Sequence, residues 1–411
     1  MEIGVLPDPA LLYLPLATYQ GDMDVVVDAG QSVTMYQLVA ASSGTFAATI
    51  HAPVSGEVLG VTEIAAERYL TIKNDFCYTE KALTVPDTAA WTSEDFLQYL
   101  LYAGIEGSGG ARFPTHLKYR VAPSTIKTFI INGAECEPYL SADYILMKTA
   151  GAKLMAVLQI IQRMLMPDEI VLAIEQQHKE LAVPLAQMAK QFGLDIALKI
   201  LPNTYPQGGE LQLIKSVTGI EIAKGSIPAH HGMIVSNVGT LWAMAGAFLE
   251  GKPYTERIIT VSGNRSRTLG NYRVKIGTPL GHILRETQHE WNQQAQTVIL
   301  GGPMMGRAAV SPLQPIHKGV GGLLLLENAD PQQMNCIACG YCVDACPQHL
   351  MPLEFVRHNQ EEDLHQLKAF HLEDCIACGA CAYVCPSDVP LMYHIQVGKE
   401  KLRQERSDTS V

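Results

Sequence analysis

Residues 336–347 read CIACGYCVDACP, and residues 375–386 read CIACGACAYVCP. Each run sets cysteines at i, i+3, i+6 and i+10 and closes on a proline, Pro347 or Pro386. Three thiolates at two-residue gaps suit three corners of one small cube. In two-cluster iron–sulfur domains the fourth cysteine, followed by proline, ligates the neighbouring cube. The spacing therefore predicts one [4Fe–4S] cluster on Cys336, Cys339, Cys342 and Cys385. It predicts a second on Cys375, Cys378, Cys381 and Cys346. Gly340 and Gly379 fall where backbone passes close to sulfide and a side chain would crowd it. A zinc ribbon would carry isolated Cys-x-x-Cys pairs, and a disulfide framework belongs to small secreted domains. Neither pattern matches two equal runs of four.

Working outward, the chain of 411 residues is long enough for several domains, and 47% hydrophobic with 17% charged residues describes a globular protein. No apolar run reaches the length of a membrane span, and no basic flank precedes an apolar stretch at the N-terminus. The expectation is a protein without its own transmembrane segment or secretion signal. Eight of the ten cysteines lie in the two runs, which calls for a reducing compartment. Cys77 and Cys136 read as packed thiols. A formal charge of −11 argues against nucleic acid as a partner. No Lys or Arg precedes Arg68, whereas eight Asp and Glu do, so the first module is an acidic surface that suits either a basic partner or plain solvation.

Short β-like pieces separated by Gly30, Gly44 and Gly56 fill the first 85 residues. The phrase HAPVSGEV at 51–58 looks like the barrel-sandwich hybrid of biotinyl and lipoyl carriers. Those carriers need a lysine at a hairpin tip, and the first lysine here is Lys73, so the module is expected to stay unmodified. A helix follows over 93–105 with Ser93 as its N-cap. Strand-like 127–133, helical 141–165, strand-like 169–175, helical 178–192 and a further strand at 194–201 then alternate, which implies βαβ units and a parallel sheet. From 254 the pattern returns to strands with one short helix near 279–287. The resulting fold class is multidomain α/β and α+β. A barrel-sandwich hybrid covers 1–85, a Rossmann-like flavin domain 90–253, and a β-grasp-like domain 254–329. A two-cluster ferredoxin-like domain covers 330–400, and a polar, frayed tail 401–411.

Between the first helix and the first strand of the α/β pattern lies GSGGARFPTHLK, residues 107–118. Backbone N–H groups of such a loop can cradle phosphate, because missing Cβ atoms let the ligand approach. The loop lacks the G-x-G-x-x-G spacing, and taken alone it reads equally as a turn. Lys118 can pair with a phosphate charge or face solvent. The strand that follows ends in INGAECEP, residues 131–138, and carboxyl ends of parallel strands are where open α/β sheets bind ligands. Asn132 and Glu135 stand there, at a position that also suits a turn with solvent-facing acids.

GSGGARFPTHLK followed by INGAECEPYLSADY resembles the flavin loops of the complex I flavoprotein subunit, and more closely the C subunit of the Rnf electron transport complex. The resemblance continues through YPQGGE at 205–210, NVGT at 237–240, GGPMMG at 301–306 and the double cysteine run, and domain order agrees. It implies noncovalent FMN and an adjacent NADH site. Gly107, Gly109, Gly110 and Lys118 would surround the FMN phosphate and ribityl chain. Asn132, Glu135 and Asn237 would contact the flavin, and Glu210 would lie on the nicotinamide side. Arg112 stands where the family has glycine or a small residue, adding charge or obstructing the nucleotide. The implied activity is an NADH:ferredoxin-type oxidoreductase subunit. It would pass electrons between NADH, FMN and two [4Fe–4S] clusters, coupled to ion movement by membrane partners. The implied location is peripheral, on the cytoplasmic side of the inner or plasma membrane, with the other subunits and ferredoxin as partners. Two further readings stand beside it. One is a soluble flavin/iron–sulfur subunit serving a corrinoid or other reductase, whose relatives put the flavin module first. The other is a non-enzymatic cluster-bearing adaptor, suggested by Arg112.

Overall fold

The computed structural model of this chain describes residues 2–122, 125–329 and 332–409, with side chains described up to 406. Two sheets of short antiparallel strands form the first unit. One orders Leu11–Pro15, Glu67–Asn74, Gly56–Ile64 and Ser32–Val33; the other orders Asp24–Val25, Leu38–Ala41 and Thr49–His51. Alternation along Gly56–Ile64 turns one face inward and leaves the other wet. Leu12, Leu14, Val39, Val58, Leu70 and Ile72 close the space between the sheets. The hairpin joining Gly56–Ile64 to Glu67–Asn74 turns on Ala65 and Ala66, both at positive φ, while Lys73 sits within the strand. The tip thus carries no lysine for a prosthetic group.

The strand Ile3–Val5 departs from the assignment of 1–85 to one unit. It pairs in parallel with Gly270–Lys275, at the edge of a later sheet. Three residues are too few for an alternation to be read from sequence.

The α/β unit holds four parallel strands in the order Ile196–Leu201, Glu169–Glu175, Thr128–Gly133, Met233–Asn237. The chain winds outward from Thr128–Gly133 in one direction, then returns to pair Met233–Asn237 on its other side. That reversal opens a crevice at the carboxyl ends of these two strands. The fourth strand escapes sequence reading because its five residues run directly into the apolar helix Val238–Glu250. The helix expected over 141–165 is two, Ala142–Thr149 and Gly151–Leu165, meeting at 87°. Helix Ser93–Tyr102 is capped by Thr92 rather than Ser93. Thr92 Oγ1 accepts from Asp95 N, and the Asp95 carboxylate accepts from Thr92 N, a reciprocal capping box. Among the described residues no single helix is long and apolar enough to cross a membrane. The bent pair passes that test together, with Leu154, Val157, Leu158 and Ile161 buried in the protein's largest core.

A six-stranded mixed sheet follows, ordered Ile3–Val5, Gly270–Lys275, Glu256–Ser262, Gly322–Glu327, Gln296–Leu300, Arg307–Ala308. Helix Leu280–Glu286 packs Leu280, Ile283 and Leu284 against it. The two cysteine runs fold alike. Gly340 and Gly379, 39 residues apart, have φ of 83° and 79°, and each precedes a one-turn helix, Tyr341–Asp344 or Ala380–Tyr383. Ala338 and Ala377 share positive φ, as do His349 and Asp388. Helices Pro352–Gln360 and Leu364–Ala369 bridge the runs. The C-terminal helix Leu391–Thr409 continues through most of the stretch expected to fray. Leu402 is 1% exposed and packs into the core beneath the runs, which holds the polar tail in register. Residue 330, the expected start of this unit, lies outside the described residues.

Candidate functional site at the strand reversal and the cysteine runs

The crevice at the strand reversal gathers most of the residues singled out from sequence. Asn237 pairs in register with Asn132 across the two strands that border it. Asn132 donates through Nδ2 to the Gly208 carbonyl, 2.9 Å, and accepts from Ala134 N, 3.0 Å. Asn237 caps helix Val238–Glu250 by accepting from Gly239 N and donates to Asp143 Oδ2 at 2.6 Å. Glu135 accepts from the backbone N–H of Asp143 and of Tyr144, closing the N-terminus of helix Ala142–Thr149. Burial and the neighbouring Asp143 push the Glu135 carboxyl up to about 8. Burial also raises Asp143, against the pull of its Asn237 hydrogen bond and of Arg257.

The glycine loop lies against this crevice. Gly107 N donates to the Phe113 carbonyl, 2.9 Å, so residues 107–113 form a closed loop. Ser108 N donates to Thr240 Oγ1, and the Ser108 hydroxyl pairs with the Tyr254 hydroxyl at 2.7 Å, which anchors the loop from below. A Cβ on Gly110, whose φ is +103°, would meet nothing within 4 Å, and one on Gly109 would meet only Asn237 Cβ, 3.9 Å away. Both glycines therefore offer bare backbone beside Asn237, the geometry a phosphate-bearing ligand needs. Lys118 and Glu210 stand together, Nζ to Oε1 2.7 Å, with Lys118 also donating to the Val235 carbonyl.

Arg112 does not face the open side of the loop. Its Nε donates to Glu106 Oε2 at 2.9 Å, and its side chain is 11% exposed. Glu106 accepts a second ion pair from Lys318 Nζ, 2.8 Å, and both of those side chains are buried. Burial alone would raise the Glu106 carboxyl, but Lys318 and Arg112 outweigh it and hold it below its usual range. Lys318 Nζ also donates to the Thr49 and Gly104 carbonyls, so one ammonium joins the first unit, the glycine-loop unit and the mixed sheet. Sequence reading missed this network, along with Asp143, Thr240 and Tyr254, because its members come from three distant segments, around Thr49, Gly104–Arg112 and Lys318.

Of the two thiols outside the runs, Cys77 is exposed rather than packed. Cys136 is half-buried; its sulfur accepts from Gly208 N, and burial raises the thiol to about 11.

In the cysteine unit, Cys346, Cys375, Cys378 and Cys381 line one hollow with Leu350, Phe355 and Ile395. The fourth cysteine of the first run thus lies beside three of the second. Among the described residues no three His, Cys, Asp or Glu side chains close on a single point. The thiols stand around a hollow instead, as a cage of atoms requires. Equivalent N–H···S bonds, Ala338 N to Cys336 and Ala377 N to Cys375, support both runs. This donor set fits iron–sulfur ligation, with four cysteine sulfurs set in a largely apolar wall. Cys336 and Cys339 are exposed, whereas Cys378 and Cys381 are buried. The second run meets both the α/β unit and the mixed-sheet unit. The Tyr205 hydroxyl donates to the Cys378 carbonyl, 2.6 Å, and a Cβ on Gly379 would lie 2.8 Å from the Met304 carbonyl. The Met304 turn is fastened in its own right, since Glu137 accepts from Met304 N and Met305 N.

Fold and site together define a protein with a flavin-type α/β unit fastened to a paired iron–sulfur unit. Comparison with known families agrees. Residues 101–246 match the Nuo51 FMN-binding domain, 335–389 the 4Fe-4S dicluster domain, and 1–75 the RnfC barrel sandwich hybrid domain. The C subunit of the ion-translocating oxidoreductase complex of Rhodobacter capsulatus is 35% identical over 421 aligned positions, covering 99% of this chain and 80% of that protein. Its namesake from Haemophilus influenzae is 34% identical over 98% of this chain and 51% of its own length. That from Vibrio cholerae is 35% identical over 89% and 49%. The chain belongs to this family, the C subunits of ion-translocating oxidoreductase complexes, and it spans about half the length of the last two relatives. An NAD+-reducing [NiFe]-hydrogenase in the H2-reduced state shares the fold, with a TM-score of 0.56 and 19% identity over 80% of this chain and 70% of its own.

Proposed function

We propose that this chain is the peripheral electron-transfer subunit of a membrane-bound ion-translocating complex. It would take electrons between NADH and two [4Fe–4S] clusters by way of noncovalent FMN. One observation carries the reading. The hollow lined by Cys346, Cys375, Cys378 and Cys381 is fastened to the α/β unit through Tyr205, and to the mixed-sheet unit through Met304. When bound, a flavin exchanges a hydride with a nicotinamide and single electrons with clusters, a conversion that the protein serves by placement and tuning.

Gly107, Gly109 and Gly110 supply bare backbone for the FMN phosphate and ribityl chain. Asn132, Glu135 and Asn237 border the ring, and Lys118 with Glu210 form a polar rim beside it. A carboxyl as raised as Glu135 is a proton carrier near neutrality, held at the end of a strand that borders the crevice. Cys336, Cys339, Cys342 and Cys385 are assigned to the more exposed cluster, and Cys375, Cys378, Cys381 and Cys346 to the enclosed one. We divide the chain as the sequence suggests, with the third unit, 254–329, read as β-grasp-like and the last, 330–400, as ferredoxin-like. The partners are the other subunits of the complex and a ferredoxin, on the cytoplasmic face of the membrane. The inward ion pair of Arg112 with Glu106 supports a working flavin pocket over an adaptor that lacks one.

Anaerobic purification followed by stopped-flow reduction tests the reading. FMN and about eight iron atoms per chain are expected. NADH should bleach flavin first and cluster absorbance after it, faster than NADPH does. Stoichiometric iron without flavin after reconstitution would favour the adaptor. Flavin that binds but ignores NADH would move electron input to another donor.

A further inference from the structure

Two lysines converge on one carbonyl beside the enclosed hollow. Lys224 Nζ donates to the Cys375 carbonyl at 2.6 Å and to the Glu373 carbonyl at 2.8 Å. Lys399 Nζ, from helix Leu391–Thr409, donates to the same Cys375 carbonyl. Among the described residues neither ammonium forms an ion pair with a carboxylate. The Glu373 carboxylate is taken by Arg406, 2.6 Å, and Asp374 acts on Lys224 from farther off. Among the described residues Lys224, Lys399 and Arg406 thus face the carboxylates of Glu373 and Asp374 around the backbone of Cys375. Two ammonium groups repel each other, and a single carbonyl dipole does not offset that repulsion. An anion held by Cys375 does.

We propose that Lys224 and Lys399 are positioning residues that set the potential of the enclosed cluster, making it the more readily reduced of the two. The inference rests on the two-cluster reading above. A cluster bound by four thiolates is an anion, and reduction adds one further negative charge. Fixed positive charge beside a ligand therefore favours the reduced state, and net charge and hydrogen bonding are recognised levers on cluster potential. The asymmetry is written in the sequence. The two runs repeat at an interval of 39 residues, and the position 39 before Lys399 is Gln360, a neutral residue at the end of helix Pro352–Gln360. Lys224 has no counterpart within the cysteine unit, because it reaches across from the segment between helix Glu210–Thr218 and strand Met233–Asn237. The α/β unit thereby contributes positive charge beside Cys375, a ligand assigned to the enclosed cluster.

The test is a redox titration of the full-length, cluster-loaded protein followed by electron paramagnetic resonance. Lys224→Met and Lys399→Met are compared with Lys399→Arg, which keeps the charge. Each Met variant is expected to shift the reduction equilibrium of one cluster by about tenfold toward the oxidised form, about 59 mV for one electron. Lys399→Arg should stay near the parent value. Cys339→Ser, which depletes the exposed cluster, identifies which signal moves. A shift in the exposed cluster, no shift in either, or equal iron loss from both Met variants would overturn the proposal. A parent protein without about eight iron atoms would instead overturn the two-cluster reading beneath it.

Discussion

Glu135 shows how a single residue carries consequences for the whole protein. Its carboxyl is raised to about 8 by burial and by Asp143, from an ordinary value of 4.5. Between those two values the folded chain holds a proton that the unfolded chain has released. Stability must then fall as pH rises through that window. Denaturant unfolding of the flavin-free protein at pH 5, 6.5 and 8 should show a declining midpoint, and Glu135→Gln should flatten the decline. An unchanged slope in the variant would remove Glu135 as its source. Arg112 poses a different case, a buried cation paired through Nε to Glu106 while its Nη2 has no hydrogen-bond partner. Arg112→Ala leaves Glu106 with Lys318 alone in a buried setting, so a loss of about 3 kcal/mol is expected on chemical denaturation. Flavin affinity should change little, because the guanidinium faces Glu106. Tighter NADH binding in that variant would restore Arg112 as an obstruction.

At the scale of elements, the crossover of ligands between runs is the point most open to a direct check. Cys346 belongs to the first run by sequence but lines the hollow of the second. Cys346→Ser should therefore weaken the enclosed cluster and spare the exposed one, read as loss of one of two paramagnetic signals with roughly half the iron. Loss of the other signal would mean that each run holds its own cube. The placing of Cys346 beside the second run was legible beforehand because cluster chemistry fixes ligand spacing within a few residues of one another. The glycine loop, Asn132 and Asn237 were legible for a similar reason, since strand ends and bare backbone leave local marks. What stayed hidden was set by contacts between distant segments. The three-residue strand Ile3–Val5 has no periodicity to read, and the strand Met233–Asn237 is masked by the apolar helix it enters. The break between Ala142–Thr149 and Gly151–Leu165 follows from packing: a Cβ on Gly151 would lie 2.9 Å from Met188 Sδ. The tail looked frayed by composition, yet Leu402 ties it to the core.

For the whole molecule, the proposed electron path depends on the α/β unit and the cysteine unit keeping one spacing, because such transfer is steeply sensitive to placement. Contacts that hold the spacing include the Tyr205 hydroxyl on the Cys378 carbonyl and Lys224 on Glu373 and Cys375, with the Met304 carbonyl of the mixed-sheet unit against Gly379. Each has an identifiable weak point. Tyr205→Phe removes one hydrogen bond, about 1 kcal/mol, and leaves the ring in place. Gly379→Ala adds a methyl 2.8 Å from backbone oxygen at a φ of +79°, where an L side chain is strained. The two changes together should loosen the interface without touching the glycine loop, and because Gly379 borders the enclosed hollow, a parent iron content is the control for the pair. Hydrogen exchange over 375–386 should then accelerate, while exchange over 107–118 stays at the parent rate. In stopped flow the flavin phase should keep its rate, and the cluster phase should slow. If both regions exchange as in the parent and both phases are unchanged, these contacts do not hold the units at their working distance. The Lys318 junction through Thr49, Gly104 and Glu106 would then be the fastening that matters.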